Sequence, residues 1–359
     1  MTTTTSSHPL DETRLQTFTD QVFLDLTACY GGVMVTLGER LGLYRALAGA
    51  GPLTSEDVAT RAGCAERYVR EWLGSQVAAG YIEYDASAET YTLPPEHAAV
   101  LADSESPTFM TPAFNVPASM WLDEDKAVAA FRNGAGVPWG DHHERLHCGV
   151  AAFYRNGYRA SLVQEWLPAL DGVVEKLEAG ARVLDVGCGH GHSTVLMAQA
   201  FPRSRFVGID PHDESIAVAV DEAFAAGVSD RVRFATGTAT DHSESGFDLI
   251  CFFDCLHDLG DPVGAAKHAH AALADGGTVM LVEPNAADAV EDNVGPIGRA
   301  YYAASTTVCT AHSLSEDVGA ALGAQAGETR LAEVFAEAGY GHWRRAAETP
   351  FNLVLEARA

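Results

Sequence analysis

The chain has 359 residues, a formal charge of −26 at pH 7, 47% hydrophobic residues and 20% charged ones. That length holds two domains with full cores, and the composition is that of a globular protein. Basic residues number 23 against 49 acidic ones, which argues against a nucleic-acid partner, whose phosphates need clustered Lys and Arg.

No apolar run approaches the roughly 18 residues that span a bilayer. Met1 to His8 lacks the basic and apolar regions of a signal peptide. The expectation is a cytoplasmic protein with no membrane partner. Seven cysteines without a C-x-x-C pair predict thiols and no disulfide framework, with Cys29, Cys188, Cys251 and Cys255 buried in apolar surroundings.

Residues 1–14 read as a disordered tail and 15–95 as a helical domain with a wing. An apolar segment from Phe18 to Tyr30 is interrupted at Gly31-Gly32 and resumes from Val33 to Leu47. Thr54, with Asp57 three residues on, opens a helix in a capping-box-like pair, and Gly63 stops it. Ala65 to Ala79 forms the next helix, ending at Gly80. Tyr81–Tyr84 and Thr90–Leu93 flank a polar turn and predict a β-hairpin. Helix, helix, hairpin is a winged helix-turn-helix. It serves either DNA binding, with Ala65 to Ala79 as recognition helix, or subunit pairing. Arg67 and Arg70 on that helix are offset by Glu66 and Glu71, which favours pairing.

Residues 96–178 read as connecting helices and a substrate-pocket region. Thr108 to Pro117 is expected as loop, and Trp121–Arg132 and His147–Leu167 as helices. Between the helices lie Trp139, His142, His143 and, four beyond the last, His147. Adjacent histidines face different ways on a helix, so Trp139 and His142 are read as lining a substrate pocket and not as a metal site.

Residues 179–359 alternate strand and helix, which predicts a Rossmann-like, doubly wound α/β sheet. Strand Arg182–Val186 runs into three glycines at alternate positions, Gly187, Gly189 and Gly191, and a helix from Ser193. Strand, glycine turn and helix make a ligand cradle, because glycines admit positive φ and the helix N-terminus offers free N–H groups. Asp185 stands beside the turn. Asp210 ends the next strand, where an acidic residue accepts from ribose hydroxyls. A terminal hairpin, Trp343–Glu348 and Phe351–Arg358, closes the sheet.

The spacing D-x-G-x-G-x-G differs from the dinucleotide fingerprint G-x-G-x-x-G. It resembles the first motif of class I S-adenosylmethionine (SAM)-dependent methyltransferases, and the closing hairpin resembles their sheet. Small-molecule O-methyltransferases of the plant and bacterial type carry a similar N-terminal winged helix that pairs subunits. The resemblance implies a homodimer that uses SAM, releases S-adenosyl-L-homocysteine, and methylates a small-molecule acceptor. It implies cofactor contacts at Gly237, Thr238 and Ala239 after the third strand, and at Phe253 and Asp254 after the fourth. The pair His257-Asp258 matches a His-Asp pair in that family, where the His deprotonates the acceptor hydroxyl; such a base is needed near pH 7. The insertion 284–328 is read as a lid completing the acceptor pocket with Tyr302 and His312. Two alternatives stay open. His257, Asp258 and His312 have the composition of a two-His, one-carboxylate iron site, as in C-methyltransferases of α-keto acids. The winged helix would also suit a SAM-sensing DNA-binding regulator.

Overall fold

The computed structural model describes residues 10–359, which fall into two compact units, up to Phe114 and from Asn115 onward. Residues 1–9 of the expected tail lie outside the described residues.

In the first unit, α1 (Glu12–Arg40) leads to α2 (Leu43–Leu47), α3 (Ser55–Ala62), α4 (Glu66–Ala78), strands β1 (Glu83–Asp85) and β2 (Thr90–Thr92), and α5 (Pro95–Leu101). The Thr54–Asp57 capping box is present, and Gly80 takes φ +73° just past α4. Tyr44, Trp72 and Leu73 anchor its core. Arg67 pairs with Glu71 and Arg70 with Glu66 along α4, so its cations are matched within the helix.

One expectation is corrected at α1. Gly31 and Gly32 do not interrupt the helix, which runs unbroken through both. Two glycines cost about 2 kcal/mol of helix propensity, less than the flanking turns of an already nucleated helix return. The resulting helix is long and apolar enough to cross a membrane by length and composition, so the expectation that no such stretch exists is also corrected. One such helix is weak evidence of a span, because a core helix passes the same test. Cys29 lies on α1 and is exposed, not buried.

The second unit opens with α6 (Asn115–Leu122), which starts within the last three residues of the stretch expected as loop, followed by α7 (Glu124–Asn133) and α8 (Arg145–Gly157). The last continues as a π-helical segment, Tyr158–Trp166, into α9 (Leu167–Ala169), with α10 (Val173–Ala179) next. The α/β alternation then follows: β3 (Arg182–Val186), α11 (His192–Ala200), β4 (Arg205–Asp210), α12 (Asp213–Ala225), β5 (Val232–Thr236), β6 (Phe247–Phe253), α13 (Pro262–Ala272) and β7 (Leu273–Pro284). After α14 (Pro296–Ala304) and α15 (Thr310–Ser315) come α16 (Gly327–Glu337) and the hairpin β8 (His342–Glu348) and β9 (Asn352–Arg358). The sheet order is β5-β4-β3-β6-β7-β9-β8, with β9 antiparallel to β7 and the first five strands parallel. This is the predicted α/β architecture with its terminal hairpin.

Alternate residues of each strand feed separate cores, as the period of two requires. Val183, Leu249 and Cys251 pack with α10 and α11 on one face. Leu184, Val186, Ile250 and Phe252 pack with α13 and α16 on the other. With both faces covered, the carboxyl ends of the parallel strands are left to bind ligand.

Phe206 on β4 is fully buried in the first of these cores. Phe206→Ala should cost about 3–5 kcal/mol, read as a lowered midpoint of urea unfolding at unchanged m-value. A loss under about 1 kcal/mol would contradict this packing of β4.

Candidate active site

At the carboxyl ends of β3, β4 and β6 lies a cleft of about 900 Å³, space at its open mouth included.

The glycine turn forms its floor. Gly187, Gly189 and Gly191 all take positive φ, between +51° and +74°. Their surroundings differ. A Cβ on Gly191 would lie 2.6 Å from the Phe234 ring, and one on Gly187 would lie 2.9 Å from Cys255 Sγ. A Cβ on Gly189 would meet nothing, because that position faces open space in the cleft. Packing and positive φ both require glycine at 187 and 191, and positive φ alone favours it at 189.

Asp210 lines the cleft and is tied into the turn. Its Oδ2 accepts from the Gly189 N–H at 2.9 Å and its Oδ1 from the His212 N–H at 2.9 Å. Lone pairs on both oxygens remain for ribose hydroxyls. Burial raises its pKa above the usual carboxylate range. Asp185 behaves differently. Its Oδ2 accepts from Ser193 Oγ (2.6 Å) and Thr194 Oγ1 (2.5 Å), so it pins the start of α11. It is wholly buried and off the cleft wall, with burial pushing its pKa up to about 6. Its predicted contact with cofactor gives way to this supporting one.

Phe253 and Asp254 line the cleft as expected. Asp254 takes the strained φ of +51°, and Asn352 Nδ2 donates to its Oδ1 at 2.7 Å. Gly237, Thr238 and Ala239 follow β5 outside the cleft wall, and the Thr238 N–H is taken by Asp241 Oδ1 at 2.8 Å. Their expected contact with cofactor is not formed by this wall.

The His-Asp pair splits. Asp258 lines the cleft, and burial pushes its pKa up to about 6. His257 sits behind the wall, buried. Its Nδ1 pairs with Glu283 Oε2, and the ring meets the Cys309 thiol. Burial opposes charge on the ring, but the Glu283 carboxylate outweighs it and holds the pKa well above the ordinary histidine value. Held there by Glu283 and Cys309, the ring does not line the cleft. Glu283 Oε1 also accepts from the Leu256 N–H at 3.0 Å, fixing the turn that carries Asp258. Glu283 escaped the sequence reading. Its signal was a carboxylate ending an apolar strand, a costly place unless paired.

Trp139 and His312 line the cleft as expected. His312 is not free to bind a metal, because Nδ1 accepts the Trp139 N–H at 3.2 Å and Nε2 lies 3.7 Å from Glu316. Among the described residues, His257 and Asp258 group with Cys309, and His312 is outside that group. The two-His, one-carboxylate iron set is thus not assembled. His142 lies in a separate, small cavity with Asp123, whose Oδ2 is 3.4 Å from its Nδ1. Tyr302 is partly exposed on α14 and does not reach the cleft. Three histidines not predicted as site residues do reach it: His147, His190 and His192. Burial depresses all three, the last to about 4, so they are neutral at pH 7.

Residues 29–103 match the Rv2258c-like winged HTH domain family, and residues 156–323 match a methyltransferase domain family. The 27-O-demethylrifamycin SV methyltransferase of Amycolatopsis mediterranei is 30% identical over 160 residues, 44% of this chain and 56% of that protein. The chain thus spans about half the length of that curated relative. Mitomycin 7-O-methyltransferase MmcR superposes with a TM-score of 0.67 at 18% identity, over 97% of this chain and 100% of that one. PigF, solved with S-adenosylhomocysteine, gives 0.73 at 18% identity over 98% and 100%. The chain thus carries a methyltransferase domain over residues 156–323 behind a winged HTH domain over residues 29–103, and it shares the fold of these solved structures. SAM fits the cleft observed here, with an open glycine floor at Gly189 and acceptor oxygens on Asp210.

Asp210→Ala should weaken SAM binding at least about tenfold, the effect of losing charge-assisted hydrogen bonds, by calorimetry. Thr238→Ala should leave it within about twofold. Equal losses in both would move the nucleoside contacts away from Asp210.

Proposed function

We propose that the chain methylates a small-molecule acceptor, at oxygen, with Asp258 as the general base. The observation that carries this reading is a cleft-lining carboxylate with its pKa pushed to about 6, beside the cofactor floor. When bound, SAM supplies a methyl group on a sulfonium for in-line displacement. The chain positions the partners, excludes water and removes a proton. Asp258 accepts the proton of the acceptor hydroxyl. The imidazolium of His257, held by Glu283, keeps the turn in place and sets positive charge behind Asp258. Trp139, Val150, Tyr154 and Leu259 supply apolar and aromatic walls for the acceptor.

The matched charges on α4 favour an enzyme over a DNA-binding sensor. The apolar row Phe18, Val22, Phe23, Leu26, Tyr30 and Val33 on α1 is exposed in the single chain. A patch of that extent calls for a partner, and we infer that a second copy covers it. Phe23→Glu should convert the dimer to monomer in sedimentation analysis. A monomeric wild type would remove this part.

A base must be unprotonated to act. Turnover should therefore rise through pH 6 and fall about tenfold per unit below it. Methyl-labelled SAM with a panel of catechols, naphthols and hydroxyindoles reports the reaction. Asp258→Asn should lower kcat by roughly 10²–10⁴ and abolish the acid limb. An acid limb that survives in Asp258→Asn would return the role of base to another group.

A further inference from the structure

The segment carrying Trp139 crosses α15 with no room to spare. A Cβ on Gly136 would lie 2.1 Å from Ser315 N and 2.2 Å from Ala311 O, both backbone atoms. Only glycine allows that approach. One residue on, the Val137 N–H donates to Ala311 O at 2.8 Å. Trp139 is then gripped through both its backbone N–H and its carbonyl. Its N–H donates to His312 Nδ1 at 3.2 Å, and its carbonyl accepts from His147 Nε2 at 3.1 Å. These bonds fix complementary ring states, since His312 accepts through Nδ1 while His147 donates through Nε2. Both rings also flank the indole, with centroids 6.2 Å and 5.5 Å away. All three residues line the cleft, as Asp258 and Leu259 do.

The far side of α15 is tied just as closely. Ser313 Oγ donates to Leu259 O at 2.8 Å, and Glu316 Oε2 accepts the Gly260 N–H at 2.6 Å. A chain of direct bonds therefore joins the turn bearing Asp258, α15 and Trp139.

From this geometry we propose that Trp139 selects the acceptor, and that His312 and His147 are positioning residues that hold it at a fixed distance from Asp258. The inference rests on the reading of this cleft as the acceptor site. His312 then acts through Trp139, neither as metal ligand nor as base.

The test uses the full-length chain and two readouts. The first, hydrogen exchange of the Trp139 amide, needs no substrate. His312→Ala should speed that exchange about tenfold, as loss of one hydrogen bond implies. His312→Asn, whose side-chain oxygen also accepts, should bring it back toward wild type. Gly136→Ala should speed exchange without touching either histidine. The second readout is steady-state kinetics on the same phenol panel, with SAM affinity as the check on folding. In His312→Ala the acceptor KM should rise about tenfold, with kcat and SAM affinity held and Asn restoring KM. Unchanged exchange in His312→Ala overturns the proposal. So does a fall in kcat at constant KM in both His312 variants, which would put His312 in the chemistry. Altered exchange with Asn rescue supports the clamp even where wild type methylates nothing in the panel. That outcome counts against the methyl-transfer reading alone.

Discussion

The buried carboxylate of Glu283 decides how the cleft is arranged. It ends β7, where the sheet's carboxyl edge meets the ligand space, and it has almost no access to water. An isolated charge there would cost several kcal/mol. The chain meets that cost with the Leu256 N–H on one oxygen and the His257 ring on the other. Both partners belong to the turn after β6, so satisfying Glu283 folds that turn down onto β7. Asp254 N–H reinforces the same register by donating to Val282 O at 2.7 Å. Asp258 faces the cleft because the residues before it are committed elsewhere.

Five carboxylates crowd this edge of the sheet, and each is handled in its own way. Asp185 is met by two hydroxyls, Asp210 by two backbone N–H groups, Asp254 by Asn352, and Glu283 by His257 and a backbone N–H. Asp258 has the neighbouring imidazolium but a side chain that opens to the cleft. Like charges at close range cannot all stay ionised at their usual pKa. Burial adds to this, and it raises Asp185 and Asp254 as well as Asp258. The same crowding explains why His257 stays charged: its proton is the positive counterpart to this cluster. The carboxylate one residue along the chain, Asp258, is the group of this turn that lines the cleft.

The legible part of the sequence was the part governed by local rules. Glycine spacing, strand periodicity, the Thr54–Asp57 cap and the strand-end Asp210 each state their structure within a few residues. So the α/β sheet, the winged-helix elements and the floor of the cleft could be read directly. What failed depended on contacts between distant segments. His257 and Asp258 are adjacent in sequence yet stand on opposite sides of the cleft wall, and Glu283 alone determines which is which. His142, predicted at the cleft, belongs to Asp123 and a smaller cavity, while His147, five residues on, reaches the cleft through the turn of α8. Gly31-Gly32 looked like a break because propensity was weighed without length. In a helix of 29 residues the flanking turns carry two glycines through.

The insertion after β7 was expected to act as a lid, and its contacts give it a more static character. A lid must exchange its hydrogen bonds for water when it opens, so its ties to the body should be few. Here α15 is bonded to the turn after Asp258 through Ser313 and Glu316, and to the 136–139 segment through backbone and His312. Further along, the Gly323 N–H donates to His257 O at 3.1 Å and the Ala320 N–H to Gly260 O at 2.9 Å. Releasing α15 would break these together and expose the buried turn beneath. Opening at that cost is local unfolding, and its free energy rises with each bond that must break at once. The segment with fewer ties is the start of the insertion. Val290 and Val294 are exposed there, and Asn293 bonds chiefly to its own loop. Asp288 is itself held by Thr329 through two hydrogen bonds, so if one part of the insertion moves to admit an acceptor, the bonds assign that motion to residues 289–295, with α15 left as fixed wall.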